Sequence, residues 1–399
     1  MINTNSQKIE EILNRGVEEI FERESLLKKL QSGKQLRIKF GIDPTGPKIH
    51  IGRAFQFWKL KDFQEMGHKI VLIVGDFTAL IGDASDKQAM RKVLTEKEIK
   101  ENLKNYLFQI GKILDMKKVE VHYNSEWFKK MKIKDFVSLQ MIFTAQQTIQ
   151  RRNFRERWDE GKPIGLQELD YPLFQGYDSV AIKSDIEIGG SDQLFNLLAG
   201  REIQKHFKQN QQDIMTSKML NGLDGRKMST SWGNIITILD EPQDMYGKVM
   251  SMKDELIDEY FELTTRLSND EIENIKKTSD NPRDIKAILA KEIVVMYHGE
   301  KKSQKAEEEF NKVFRNKELP TDISVFVPQS GKTYNILDLL FDAKLSSSKN
   351  EARRLVEGGG VEIIIGDNKE KISDWRKEIN LENEKVIRAG RKFIKIKLK

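Results

Sequence analysis

Two loops constrain this chain more than any other feature, and each makes sense only beside the other. Residues 41–53, GIDPTGPKIHIGR, read as the end of a strand running through a Pro/Gly turn into a helix that opens around His50 and Gly52. Residues 225–234, GRKMSTSWGN, read as a Gly-flanked loop carrying Lys227 and two small hydroxyl residues, Ser229 and Ser231. A helix start presents unpaired N–H groups and the positive end of the helix dipole, which suits phosphate. A lysine loop about 175 residues further on would supply donors from another side if both lay on one sheet. Doubly wound α/β sheets bind ligands at the carboxyl ends of their strands.

The intervening chain fits that architecture. Residues 35–42, QLRIKFGI, read as a strand, and 52–67 as a helix stopped by Gly67 at its C-cap. Residues 68–76, HKIVLIVGD, are a nearly continuous apolar run, as a parallel strand buried on both faces requires. A helix is expected over roughly 87–114, a strand over 119–124, and a strand, Gly-Gly turn and helix over 185–204. Short strands are expected around the lysine loop between 213 and 240. Such alternation argues for α/β. The stretch 126–158 reads as helical and mixed, with apolar Met141, Ile142 and Phe143 ahead of the basic QRRNFRERW. From 241 to about 318 the pattern is charged and helical, and 318–334 reads as a linker with two prolines.

Composition narrows the class. A chain of 399 residues, 38% apolar, is long enough for two or three domains with packed cores. The absence of cysteine excludes disulfides and Cys-ligated zinc and fits a reducing compartment. No run approaches the roughly 20 apolar residues of a membrane span, and the first residues, MINTNSQKIEEILNRG, have neither the basic start nor the apolar core of a signal peptide. A soluble, cytoplasmic protein with no membrane partner is expected. The net charge of +6 is uneven: residues 346–399 hold 14 Lys/Arg against 9 Asp/Glu, and the last twelve hold six basic residues and no acid. A basic end on a near-neutral body points to a polyanion, although a solvated Lys-rich face gives the same count.

The two loops resemble the paired HIGH and KMSKS signatures of class I aminoacyl-tRNA synthetases in slightly altered form. Residues 345–363, LSSSKNEARRLVEGGGVEI, read as a capped helix ended by three glycines and followed by a strand. That segment resembles the S-four-type RNA-binding module. YPLFQGYDSV at 171–180 and EIGGSDQLFNLLAGR at 187–201 are similar to the amino-acid pocket of tyrosyl-tRNA synthetases, in particular the bacterial branch with such a tail. The motifs run over the whole chain in the family's order: GIDPT-x-P-x-IHIG, GDF-x-x-x-IGD, YP-x-x-QGYD, GGSDQ-x-FN, KMS-x-S and the tail.

The resemblance implies an α/β fold: a Rossmann-like, doubly wound parallel-sheet catalytic domain over 1–240, with the helical insertion at about 126–158 lying at a dimer interface. An α-helical anticodon-side domain over 241–325 and a small α+β, S-four-like RNA-binding domain over 326–399 would follow. It implies a tyrosine–tRNA ligase working as a homodimer on L-tyrosine, ATP and tRNA(Tyr). Mg²⁺ would come with ATP, held by phosphate oxygens rather than a protein metal site.

By the same resemblance, Asp178 would accept the tyrosine hydroxyl, while Tyr171, Gln175, Asp83 and Gln193 would hold the substrate's ammonium and carboxylate. Tyr171, Gln175 and Asp178 are spaced i, i+4, i+7, which puts them on one helix face. Outside this context Asp178 reads more readily as a cap or ion pair on a core helix. His50 and Thr45 would donate to phosphates, Gly52 would leave room for adenine, Asp43 would lie near the reacting end, and Asp192 would accept from ribose. Lys87, Arg91 and Lys227 would close on pyrophosphate, with Met228, Ser229, Thr230 and Ser231 completing the second loop. The basic tail would contact RNA through Arg353, Arg354, Arg391 and Lys392.

Several positions depart from the family pattern. Arg53 stands for the second histidine of HIGH, Thr230 for the second lysine of KMSKS, and Asp86 where a glycine is common. Lys39 occupies a position that in some relatives is a tyrosine touching the substrate hydroxyl, which leaves that contact to Asp178 alone. A tryptophanyl-type synthetase is the nearest rival, opposed by an aspartate at 178. A non-catalytic RNA-binding protein on a synthetase scaffold is the rival of another class, opposed by the joint presence of Asp83, Gln175, Asp178, Gln193 and Lys227.

Overall fold

The apolar run expected as a buried strand is Lys69–Val74 (β3), buried from Ile70 onward. The computed structural model describes residues 2–43, 48–83, 95–228, 232–316, 318–321, 323–328, 333–346, 348–366, 368–381 and 385–398, apart from the side chains of Glu96 and Arg152. Around β3 lie Val17–Phe21 (β1), Arg37–Ile42 (β2), Glu120–Tyr123 (β4), Ile186–Gly190 (β5) and Asp213–Ser217 (β6), in the order β1-β6-β5-β2-β3-β4. All neighbours are parallel except β1, which runs antiparallel to β6. The chain leaves β2 toward β3 and β4, then returns to the other side of β2 for β5 and β6. The strand order therefore reverses between β2 and β5, and the crevice beyond their carboxyl ends is where such sheets bind ligands.

Local chemistry explains the helices that frame this crevice. Ile51–Glu65 starts where the His50 side chain accepts from the Arg53 amide, and the chain leaves it through Gly67 at φ +95°. Leu166–Ile182 and Leu194–His206 pack closely because Gly176 faces Ala199 and Gly200, where a Cβ would come within 2.6 Å of Ile203 Cδ1. The helix expected over 87–114 is Glu96–Ile110, opened by a Thr95–Glu98 capping box. The mixed segment forms four short helices: Ser125–Phe128, Ile133–Gln140, Ala145–Ile149 and Arg152–Asp159. Around the lysine loop, β6 is followed, among the described residues, by isolated bridges: Asn221 pairs with Lys227 and His50 with Thr237.

The chain forms two units, Met1–Asp240 with Ser251–Tyr297, and Glu241–Met250 with His298–Lys399. The helices between 241 and 318 are thus shared between them. In the second unit, Pro242–Met250 packs on Glu300–Phe310, with the Tyr246 and Phe310 rings 5.3 Å apart. Its strands are Ser324–Phe326 (β7), Thr333–Asn335 (β8), Val361–Ile365 (β9), Asn368–Ile372 (β10), Glu378–Asn380 (β11), Val386–Ala389 (β12) and Lys392–Ile396 (β13). One sheet runs β10-β9-β12-β13-β7 and a second pairs β11 with β8. The segment expected as a linker over 318–334 therefore supplies β7 and the first residues of β8. Three-residue strands are too short to show a period, and their partners lie far along the chain. Ile336–Asp342 and Lys349–Glu357 cover the sheet through Leu339, Leu340, Ala352 and Val356. Ser348 caps the second of these by accepting from the Glu351 amide at 3.2 Å.

Candidate active site

At the carboxyl end of β2, Asp43 accepts from the Tyr171 hydroxyl at 2.8 Å and from Thr78 Oγ1 at 2.9 Å. Gly75 allows this: a Cβ there would sit 1.9 Å from Asp43 Oδ1 and 2.3 Å from Thr78 Oγ1. Asn124 donates to Thr78 Oγ1 at 3.1 Å and fixes its orientation. Desolvation pushes the Asp43 carboxyl up to about 6, against the opposing pull of the Tyr171 and Thr78 hydrogen bonds.

Tyr171, Gln175 and Asp178 lie on Leu166–Ile182 as their spacing predicts. Asp178 is 4% exposed and accepts from Trp127 Nε1 at 2.9 Å. Burial drives its carboxyl up to about 7, while the Lys39 cation and the Trp127 and Asn124 hydrogen bonds oppose the rise. Beside this helix, Phe77, Phe128 and Phe174 form an aromatic cluster with centroids 5.1–5.5 Å apart. Gln175 Nε2 donates to Glu187 at 3.2 Å. At the carboxyl end of β5, Gln193 Nε2 donates to Asp83 Oδ2 at 2.7 Å, and Asn196 donates to Gln193 Oε1 at 2.9 Å. Carboxylates from four segments, Asp43, Asp83, Asp178 and Glu187, are thus hydrogen-bonded to Leu166–Ile182 or to the strand ends around it.

The two loops meet at the start of Ile51–Glu65. The Ile51 amide donates to the Ile236 carbonyl at 2.9 Å and the Ile238 amide to the Ile49 carbonyl at 3.1 Å, so the chain after the lysine loop is stitched to the chain before His50. Gly52 sits beneath Met228: a Cβ there would lie 3.4 Å from Met228 Sδ and 3.1 Å from Leu220 Cβ. Lys227 Nζ is 4.0 Å from Asp192 Oδ2. Its carbonyl accepts from Asn234 Nδ2 at 3.2 Å, and the same amide donates to Asp224 at 2.8 Å, which braces the loop from behind. Burial, with the Arg53 and Lys227 charges, pushes His50 down to about 4, so the ring is neutral near pH 7. Its Nδ1 accepts from the Arg53 amide at 3.2 Å, so the ring proton is on Nε2, available to a phosphate oxygen. Arg53 itself reaches across to the Tyr106 hydroxyl at 3.2 Å.

Thr45, Lys87, Arg91, Ser229, Thr230 and Ser231 lie outside the described residues, as does Asp86. Asp43, His50, Gly52, Arg53, Asp83, Tyr171, Gln175, Asp178, Asp192, Gln193, Lys227 and Met228 belong to the unit that holds the sheet. Thr78, Asn124, Trp127 and Glu187 were not anticipated. Thr78 and Glu187 stand inside or beside recognised motifs, and a charged residue within the apolar strand IEIGG is itself a signal. Trp127 carries none, because only the fold brings it to Asp178. Of the basic residues in the second unit, Arg354 is exposed, Arg353 bonds Glu357 at 2.8 Å and stacks on Trp375, Arg391 donates to the Gly247 carbonyl at 3.0 Å, and Lys392 approaches the Lys344 carbonyl at 3.4 Å.

A parallel sheet with its crevice at the strand reversal, joined there by a capped helix start and a lysine loop, defines a class I synthetase core. Residues 31–315 match the family described as tRNA synthetases class I (W and Y). The chain is 45% identical over 391 residues to the tyrosine–tRNA ligase of Thermotoga maritima, covering 96% of each, and 44% identical to that of Carboxydothermus hydrogenoformans, covering 97% of each. Its fold is similar to a C-terminally truncated mitochondrial tyrosyl-tRNA synthetase of Aspergillus nidulans, with a TM-score of 0.65 at 20% identity over 78% of this chain and 95% of that one. The chain belongs to the tyrosine–tRNA ligases of the class I tRNA synthetases.

Proposed function

We propose that the chain activates L-tyrosine with Mg²⁺-ATP and passes the tyrosyl group to the terminal adenosine of tRNA(Tyr). The observation that carries the site assignment is Asp178, a buried carboxylate on the same helix face as Tyr171 and Gln175. Trp127 donates to Oδ1, and the carboxylate also accepts the substrate phenol. Asp83, Tyr171, Gln175 and Gln193 hold the amino-acid end. The tyrosine carboxylate, already ionised, attacks the α-phosphorus; the new C(O)–O–P bond forms as the bond to the bridging oxygen of pyrophosphate breaks. No general base is needed, so catalysis consists of alignment and stabilisation of charge on the leaving group. His50 Nε2–H and Thr45 donate to the phosphates, Gly52 leaves room for the adenine against the helix start, and Asp192 accepts from ribose. Lys227, with Lys87, Arg91, Arg53 and the hydroxyls of Ser229, Thr230 and Ser231, attends the triphosphate, while Asp43 orients the reacting end. Mg²⁺ enters as part of the nucleotide, held by phosphate oxygens. A tyrosyl ester then forms on the terminal ribose and AMP leaves. Amino-acid-dependent exchange of labelled pyrophosphate into ATP tests the reading: tyrosine alone should drive it, and exchange driven by tryptophan, or none at all, would overturn it.

The working form proposed is a homodimer. Ile133 and Met141 are 84% and 83% exposed on the insertion, with Val137 on the same helix and Leu166 79% exposed nearby in sequence. Apolar side chains at that exposure, clustered in one segment, mark an association surface. Ile133→Glu with Met141→Glu should convert a dimeric mass into a monomeric one by light scattering, without unfolding; an unchanged dimer would move the interface elsewhere. The division of labour proposed is catalysis within 1–240, an anticodon-side helical part over 241–325 and RNA contact within 326–399, in the cytoplasm. No helix among the described residues is long and apolar enough to cross a membrane.

RNA contact is assigned to Arg353, Arg354, Arg391 and Lys392. Replacing all four by Ala should weaken tRNA binding and make log K less steep in log salt by roughly three to four, since each phosphate contact contributes about 0.7 to 0.9. An unchanged slope would show that these side chains face solvent.

A further inference from the structure

Beneath the Asp178 helix lies an ion pair that the reaction described above does not use. Lys39 on β2 and Glu187 on β5 stand opposite each other in the parallel register, with side chains 0% and 1% exposed and Nζ 2.8 Å from Oε1. Lys39 spends its other donors on one helix: it reaches the Gln175 carbonyl at 2.7 Å and Ser179 Oγ at 2.8 Å. Glu187 answers by accepting from Gln175 Nε2 at 3.2 Å and Ser179 Oγ at 3.1 Å, and from Gln212 Nε2. Gln175 and Ser179 bracket Asp178 within little more than one helical turn, so the pair pins both neighbours of the pocket carboxylate to the sheet.

Stability does not call for this arrangement. Taking two full charges out of water is expensive, and an apolar pair of similar volume usually costs no more and often less. What an apolar pair lacks is direction: it would leave the helix free to settle by packing alone, and it would put no positive charge behind Asp178. We propose that the Lys39–Glu187 pair is the positioning element that sets the selection of tyrosine over phenylalanine, by fixing the height of Asp178 and the side chain of Gln175. The inference rests on the tyrosine pocket assigned above. Lys39 does this from behind the helix, held by Glu187, Ser179 and Gln175.

The test compares Lys39→Met with Lys39→Met/Glu187→Gln in pyrophosphate exchange, for tyrosine and for phenylalanine. The single variant leaves Glu187 buried and unpaired and risks unfolding. The double variant is neutral, and its amide oxygen still accepts from Ser179 and Gln212. In the folded double variant KM for tyrosine should rise, and the tyrosine-to-phenylalanine ratio of kcat/KM should fall, each by about tenfold or more, while KM for ATP stays within about twofold. A purely structural role predicts a lower melting temperature with an unchanged ratio, and that result would overturn the proposal. Wild-type protein that exchanges with no tyrosine dependence would overturn the pocket assignment itself, and the role of the pair with it.

Discussion

Asp178→Asn is expected to lower kcat/KM for tyrosine by about a hundredfold or more, because the phenol loses a charged, desolvated acceptor. Activity with phenylalanine should change far less, so the ratio between the two substrates collapses. A site built to bond a hydroxyl rejects the analogue lacking it by leaving its own polar group unpaired, a rule for which tyrosyl-tRNA synthetases are themselves the worked case. Trp127 and Asn124 hydrogen-bond to the side chain, and the charges of Lys39 on β2 and Glu187 on β5 act on it, as it does on Tyr171 of its own helix. Burial holds its carboxyl up at about 7, so the ionised acceptor gains population between pH 6 and 8 and KM for tyrosine should fall over that range. The sign for stability is opposite. A carboxyl raised above its ordinary value of about 3.9 favours folding most fully at acid pH, and that contribution is lost as pH rises through about 7. Asp178→Asn removes this penalty, so the variant should melt no lower than wild type at pH 8. A thermal scan beside the exchange assay separates the two effects. Full retention of tyrosine preference by the Asn variant would take Asp178 out of the pocket.

Lys227→Ala should reduce the rate of adenylate formation by about a thousandfold while moving KM for tyrosine by no more than about twofold. Lys227 stands 4.0 Å from Asp192, the residue proposed for ribose, in a loop braced by Asn234 and Asp224. Its charge is needed as negative charge builds on the departing pyrophosphate, so its loss raises the barrier without loosening the ground state. His50 cannot compensate: burial keeps its ring neutral, and one N–H donor is all it offers. Single-turnover measurement of adenylate formation, with tyrosine titrated separately, reads both quantities. A loss confined to tyrosine affinity would place Lys227 at the amino acid rather than the phosphates.

Much of the catalytic unit was legible in the chain itself. The parallel strands at β2, β3 and β5, the helix opened by His50, the shared face of Tyr171, Gln175 and Asp178, and the Ser348-capped helix of the basic unit all follow from short-range rules. Periodicity, capping and the i, i+4, i+7 repeat act over one or two turns, so the residues that decide them are neighbours in sequence. β7 has three residues and pairs with β13 far along the chain, so the stretch before β8 reads as a linker.

What only the tertiary structure decided is who faces whom. The amino-acid order marks Lys39 and Glu187 as charges set in apolar strands, but a register between β2 and β5 is needed to make them a pair. Trp127, in a segment that reads as a mixed helical insertion, becomes the partner of Asp178 only when that segment folds over Leu166–Ile182. Gly75 becomes obligatory only because Asp43 and Thr78 close over it. Each is a contact between segments separated by tens to more than a hundred residues, and such contacts depend on the packing of the whole unit rather than on any local rule. The sequence by itself determined the strands of the sheet, the helix opened by His50 and the family the chain belongs to; folding decided which buried charges stand behind them.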